Sequence, residues 1–169
     1  MAEKYIRNNA GKLAETEATV TSAGAGDSGK IVALDSSGKL DNSLMPSGIG
    51  ADTEVMATSE NLSAGDLVNI WNDSGTRKAR KADASNGRVA IGFVLSATTS
   101  PNNATVYLSG DITGLSSLTP GNPYYVSGAT AGAATATAPS TSGHFVQQIG
   151  YAVSTTAIAF QPQLTIDLA

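Results

Sequence analysis

No window of this chain longer than about ten residues keeps apolar side chains at i, i+3, i+4 and i+7 without an intervening Gly or Pro, which rules out a helical architecture. Residues 10–20 are the one weak helix candidate. Short apolar or alternating runs recur instead, spaced by roughly ten residues and separated by turn-forming clusters. Leu67-Val68-Asn69-Ile70-Trp71 is followed by Asn72-Asp73-Ser74-Gly75 and then by Thr76-Arg77-Lys78-Ala79-Arg80-Lys81-Ala82, which predicts a hairpin with a basic outer strand. Further strands are expected at residues 90–96, 104–108, 110–113, 123–127, 135–138, 145–153 and 157–160. Pro101-Asn102-Asn103, Thr119-Pro120-Gly121-Asn122-Pro123 and Ser127-Gly128 supply breaks between them. The fold class is therefore all-β: a compact antiparallel β-barrel or sandwich, in which a closed sheet would also remove exposed edges.

Residues 1–56 read differently. Charges are scattered among Gly, Ala, Ser and Thr with few core candidates, so this stretch is expected to be an extended N-terminal arm ahead of a β module spanning 57–169. Within the arm, Lys30-Ile31-Val32-Ala33-Leu34, Asp35-Ser36-Ser37-Gly38 and Lys39-Leu40 predict a strand, a tight turn and a short returning strand, and Pro46, Gly48 and Gly50 end the pattern.

Composition narrows the chemistry. The 169 residues hold no Cys and a single His, His144, so thiolate chemistry, disulfides and Cys/His or paired-His metal sites are not expected. Charged residues are 14% of the chain, against about 25% in an average protein. From Val89 onward there is no Lys or Arg at all, and after Asp83 the acids are Asp111 and Asp167. A paired-carboxylate site is not expected from so few acids. A net charge of −4 argues against nucleic acid, which demands clustered cations. Only Arg77, Lys78, Arg80 and Lys81 cluster, and strand alternation sends them to two faces as a solvated edge or as salt-bridge partners. No apolar run reaches the roughly 18 residues of a membrane span, and Met-Ala-Glu-Lys-Tyr-Ile-Arg lacks the apolar core of a signal peptide, so neither membrane insertion nor secretion is expected. Asn61, Asn72 and Asn103, each in an Asn-x-Ser/Thr match, are accordingly read as turn residues.

Three motifs imitate catalytic or nucleotide sites. Gly24-Ala25-Gly26-Asp27-Ser28-Gly29 has the glycine spacing of a dinucleotide loop, but no strand-helix-strand unit surrounds it. Gly24, Gly29 and Lys30 match most of a phosphate loop, yet Ile31 stands where a Mg²⁺-ligating hydroxyl is required. Gly26-Asp27-Ser28-Gly29 resembles a protease nucleophile loop, but the lone His144 lies far downstream of the serine. A catalytic, cofactor or metal site is expected at none of these. Trp71, Tyr107, Tyr124, Tyr125, Tyr151 and Phe160 are expected in the core or at subunit contacts.

Gly65-Asp66-Leu67-Val68-Asn69-Ile70, Arg77-Lys78-Ala79, Gly92-Phe93-Val94, the run from Ala104 to Gly110, Pro123-Tyr124-Tyr125-Val126-Ser127 and Val146-Gln147-Gln148-Ile149-Gly150-Tyr151-Ala152 form a series over residues 62–162. This series resembles the capsid decoration, or cement, proteins of tailed bacteriophages, whose module also occurs in head and tail fibres. Residues 29–46 resemble a linker common in phage fibres. The resemblance implies a non-enzymatic virion protein made in the host cytoplasm, a homotrimer on the outer capsid surface whose partner is the major capsid protein. Coat contacts are expected on the arm, at Tyr5, Ile6, Arg7 and Leu13, with the neutral strand faces forming the trimer. The alternative is an adhesive head-fibre or tail-fibre module that binds a host-surface sugar through residues 127–142.

Overall fold

A computed structural model of the chain describes residues 3–45 and 51–169; Pro46, Gly48 and Gly50, read above as breakers, lie outside them. The chain divides into two units, Met1–Gly50 and Ala51–Ala169. Both are β, no α-helix occurs among the described residues, and every strand pair is antiparallel.

In the first unit, β1 (Lys4–Asn9) and β2 (Lys12–Glu17) pair along their whole length, from Lys4 opposite Glu17 to Asn9 opposite Lys12. Ala10 and Gly11 turn the hairpin with φ of 53° and 83°, and the Asn8 Oδ1 accepts the Gly11 N–H at 2.8 Å. Positive φ at both central residues matches the twist of the flanking strands. The weak helix candidate at residues 10–20 is thus a strand. The strand expected at residues 30–34 does not form: Val32 contributes only one isolated parallel bridge to Thr19. The turn after it does form, because the Asp35 Oδ1 accepts the N–H groups of both Ser37 and Lys39. No described residue of this unit is buried.

The second unit holds two five-stranded sheets and a short ribbon. The first sheet has the order β3 (Thr53–Ala57), β7 (Asn103–Tyr107), β6 (Gly92–Phe93), β4 (Leu67–Asp73), β5 (Thr76–Lys81). β3 was expected in the arm, but all five of its residues pair with β7, so the module begins earlier than residue 57. Adjacent apolar residues in these strands point to opposite faces, and both faces are covered. Val68, Ala79, Val94, Ala104 and Val106 close on Met56 and Leu62 at one face, while Leu67 and Phe93 turn to the other. The sheet therefore curls around the first cluster. It stops short of a closed barrel: past the end of β3, Thr58 makes a single bridge to Ala79 of β5.

The second sheet runs β10 (Ala134–Thr135), β9 (Pro123–Val126), β12 (Gln148–Ala152), β13 (Ile158–Phe160), β8 (Gly110–Ile112). Its alternation is one-sided. Tyr124, Val126, Ile149, Ile158, Phe160 and Ile112 face Leu67 and Phe93 across the sandwich, where Phe93 stacks on Tyr107 at 5.4 Å and meets Phe160 edge-on at 5.3 Å. The register shifts between Gln148 and Gly150, where φ is 144° and a Cβ would lie 1.8 Å from the Ala159 carbonyl oxygen. Only glycine lets β12 and β13 approach this closely. The expected strand at 145–153 is thus two: β11 (Phe145–Val146) leaves the sheet to pair with β14 (Ile166–Asp167). Gln147, between them, is buried. Its Oε1 accepts the Ala90 N–H at 2.8 Å, and its Nε2 donates to the carbonyls of Ala90 and Gln163.

Candidate functional site

The four residues expected to contact a partner all fall on the first hairpin, but on two faces. Ile6 and Leu13 share one face as diagonal neighbours, since Ile6 opposes Glu15 and Leu13 opposes Asn8. They are 64% and 81% exposed. Tyr5 and Arg7 share the opposite face, and the Tyr5 hydroxyl accepts the Ile31 N–H at 3.3 Å, which ties the hairpin to the following segment. Tyr5 thus has a structural task, while Ile6 and Leu13 present apolar surface flanked by the Lys4–Glu15 ion pair. Val20, Ile31, Val32, Leu34 and Leu40 of the same unit are also exposed.

The glycine loop at residues 24–29 satisfies itself. The Asp27 carboxylate accepts the Ala23 N–H at 2.7 Å and pairs with the Lys30 Nζ at 2.7 Å. Hydrogen bonding to Lys30, then to Ala23, holds the Asp27 carboxyl below its ordinary range, and the same pair raises the Lys30 ammonium. A backbone amide and a cation that would attract a phosphate are both engaged by one internal carboxylate.

In the second unit, the basic strand β5 is largely neutralised from within. Arg77 pairs with Glu54, Lys78 with Asp73 at 2.7 Å, and Lys81 with Asp66 at 3.3 Å. Just beyond, Arg88 pairs with Glu60 at 3.5 Å. Alternation splits the four residues of β5 as expected, with Lys78 and Arg80 on the face of Trp71 and with Arg77 and Lys81 on the other. The turn of this hairpin repeats the device of the first: Ser74 and Gly75 have φ of 55° and 91°, and the Asn72 Oδ1 accepts the Gly75 N–H.

At the neighbouring corner, Asp83 is buried. Burial alone would raise its carboxyl, but donation from the Asn86 amide and from the Ser85 hydroxyl and N–H outweighs that and holds it below the ordinary carboxylate range. The group is thus an anchor for the turn at residues 84–86.

His144 lies against Gly128, where a Cβ would come within 2.5 Å of its Nδ1. It lines a groove of about 360 Å³ together with Ser127, Thr135, Thr137, Ser140 and Thr141. A second groove of about 510 Å³ is more apolar, bordered by Val89, Ile91, Pro162 and Leu164. Among the described residues no three Asp, Glu or His gather as metal ligands would.

The aromatic residues divide by position. Tyr124 and Phe160 are in the core, and Tyr107 packs against it through Phe93. Trp71 and Tyr125 are half-buried, and Tyr151 is exposed on the outer face of the second sheet. Sequence reasoning did not single out Gln147 or the stacking of Arg80 on Trp71, whereas the hydroxyl residues beside His144 fall within the stretch 127–142 named above for the alternative reading. Gln147 bonds Ala90, 57 positions away, and Arg80 meets Trp71 through the register of the β4–β5 hairpin. No protein-family model, curated protein or solved structure matches this chain.

Proposed function

We propose that this protein is a structural virion component that decorates the outside of a tailed-phage head, where it acts as cement between major capsid protein subunits. The supporting observation is the contrast in burial: the first unit leaves Ile6, Leu13, Ile31 and Leu34 exposed and buries no described residue, while the second has a complete core. A segment that cannot cover its apolar side chains with its own residues gains by laying them on another surface. In this reading the Ile6 and Leu13 face docks on the coat, and the second unit, with its neutral outer sheet face around Tyr151, associates as a homotrimer. Binding to the assembled shell in preference to free subunits would stabilise the shell by linkage, and many copies would multiply the effect.

Titration of purified protein onto undecorated heads tests this. Saturable, stoichiometric uptake that raises the melting temperature of the shell is expected. Binding to host cells without binding to shells would overturn it in favour of a fibre module that holds a surface sugar. The hydroxyl-lined groove beside His144 is the observation that favours this second reading. Light scattering of the isolated protein reports whether the trimer exists before docking.

A further inference from the structure

Every cation of the β4–β5 hairpin and the corner beyond it has a carboxylate partner except Arg80: Arg77, Lys78, Lys81 and Arg88 are all paired, whereas among the described residues Arg80 meets no acid. Arg80 is nonetheless held. Its Cζ lies 4.4 Å from the centre of the Trp71 ring, and its Nε donates to the Asn69 Oδ1 at 2.9 Å. Both supports are themselves fixed. Asn69 is buried and donates to the Val89 carbonyl at 2.9 Å, so its oxygen is oriented to accept. The Trp71 Nε1 donates to the Ser59 Oγ at 3.1 Å, and the Ser59 N–H is bonded to the Ala79 carbonyl of β5.

We propose that Arg80, stacked on Trp71, is a receptor for an exposed carboxylate on the surface of a partner protein. Its stem, ring face and Nε are committed, while its two terminal nitrogens hydrogen-bond to no described residue, which leaves one edge of a planar donor fork presented in a fixed orientation. Carboxylate geometry matches that edge, and preorganisation removes much of the entropy cost of binding. Trp and Arg are also the side chains on which protein interfaces concentrate their energy. The local charge fits a single anion. Arg80 and Arg88 both feel Glu60, but that carboxylate already bonds Arg88 and accepts the Lys81 N–H at 2.6 Å, leaving an excess of one positive charge. Burial, then the nearness of Arg88, pushes the Arg80 guanidinium below its ordinary value, so an incoming carboxylate relieves an unfavourable charge. A polyanion is disfavoured, because Glu54, Glu60, Asp66 and Asp73 ring the same hairpin. This site lies in the second unit and does not depend on the shell-binding role proposed for the first.

Trp71 is the sole tryptophan, so its fluorescence reports directly on the site. The intact protein is titrated at low salt with an acetylated, amidated Gly-Gly-Glu-Gly-Gly peptide that carries one carboxylate, sodium acetate, inorganic phosphate and a short DNA oligonucleotide. The peptide is expected to change Trp71 emission saturably. Arg80→Met keeps the aliphatic stem over the indole without the charge, and should weaken the response roughly tenfold or more. Arg77→Met, whose parent side chain is already paired with Glu54, should titrate like the unaltered protein. Equal weakening by both substitutions would overturn the site as diffuse electrostatics. Phosphate or DNA binding as tightly as the peptide would overturn the choice of carboxylate, and acetate doing so would overturn the choice of a protein partner.

Discussion

The two hairpins β1–β2 and β4–β5 use the same turn, and differ in almost everything else. Each places Asn four residues ahead of the first residue of its returning strand, accepts the Gly N–H on the Asn side chain, and carries positive φ at the last two residues of the turn. Around β4–β5 the second unit closes two apolar clusters. Around β1–β2 nothing described is buried, and apolar residues such as Ile6 and Leu13 stay in solvent. Local turn chemistry therefore suffices to form a hairpin but not to bury it: burial needs layers from distant parts of the chain. One unit has a core complete in itself, and the other leaves its described apolar side chains uncovered.

Replacing a central core residue should break the scaffold most severely. Phe93→Ala removes both the stack on Tyr107 and the edge contact to Phe160, and should cost about 3–5 kcal/mol of stability in urea unfolding. A loss within about 0.5 kcal/mol would show the two sheets to be packed far more loosely than their contacts imply.

Gln147→Ala should come next. Its amide closes three hydrogen bonds to the backbone of Ala90 and Gln163, and removal strands buried groups at a cost of about 1–3 kcal/mol. Faster amide hydrogen exchange at Ala90 than at the core strands would localise the loss to this clasp.

The smallest effect on stability is expected in the first unit, and it sharpens the contrast. Ile6→Ser with Leu13→Ser should change unfolding of the isolated protein by no more than about 0.5 kcal/mol, because neither side chain is covered. The same double variant should lose uptake onto undecorated heads. Uptake equal to that of the parent chain would remove this face from the coat contact.

The all-β class was legible because turn clusters at short intervals leave no room for helices, and the strands over residues 67–82 and 123–126 follow from alternation and turn residues alone. The first hairpin was hidden by Ala10, Leu13 and Ala14, which fall at helical spacing yet sit in a turn and a strand. In so short an apolar set the two periods cannot be separated, and pairing with β1 decides. β3 was missed for a related reason. Thr53-Glu54-Val55-Met56-Ala57 has a single buried side chain, Met56, and becomes a strand through its register with β7. The sequence singled out Tyr5, Ile6, Arg7 and Leu13 together, but the common face of Ile6 and Leu13, and the separation of Tyr5 and Arg7 onto the other, required the register.

By itself, then, the order of residues determined that this chain builds β-structure with few charges, and that its N-terminal segment lacks the apolar content for a core. These are local properties, set by backbone preference and hydration. Only the tertiary structure decided which side of each strand is covered, which cations are neutralised, and that Arg80, stacked on Trp71, is the cation of its hairpin with no carboxylate partner among the described residues. Pairs such as Arg77–Glu54 and Arg88–Glu60 act across space between segments more than twenty residues apart, and no local pattern encodes them.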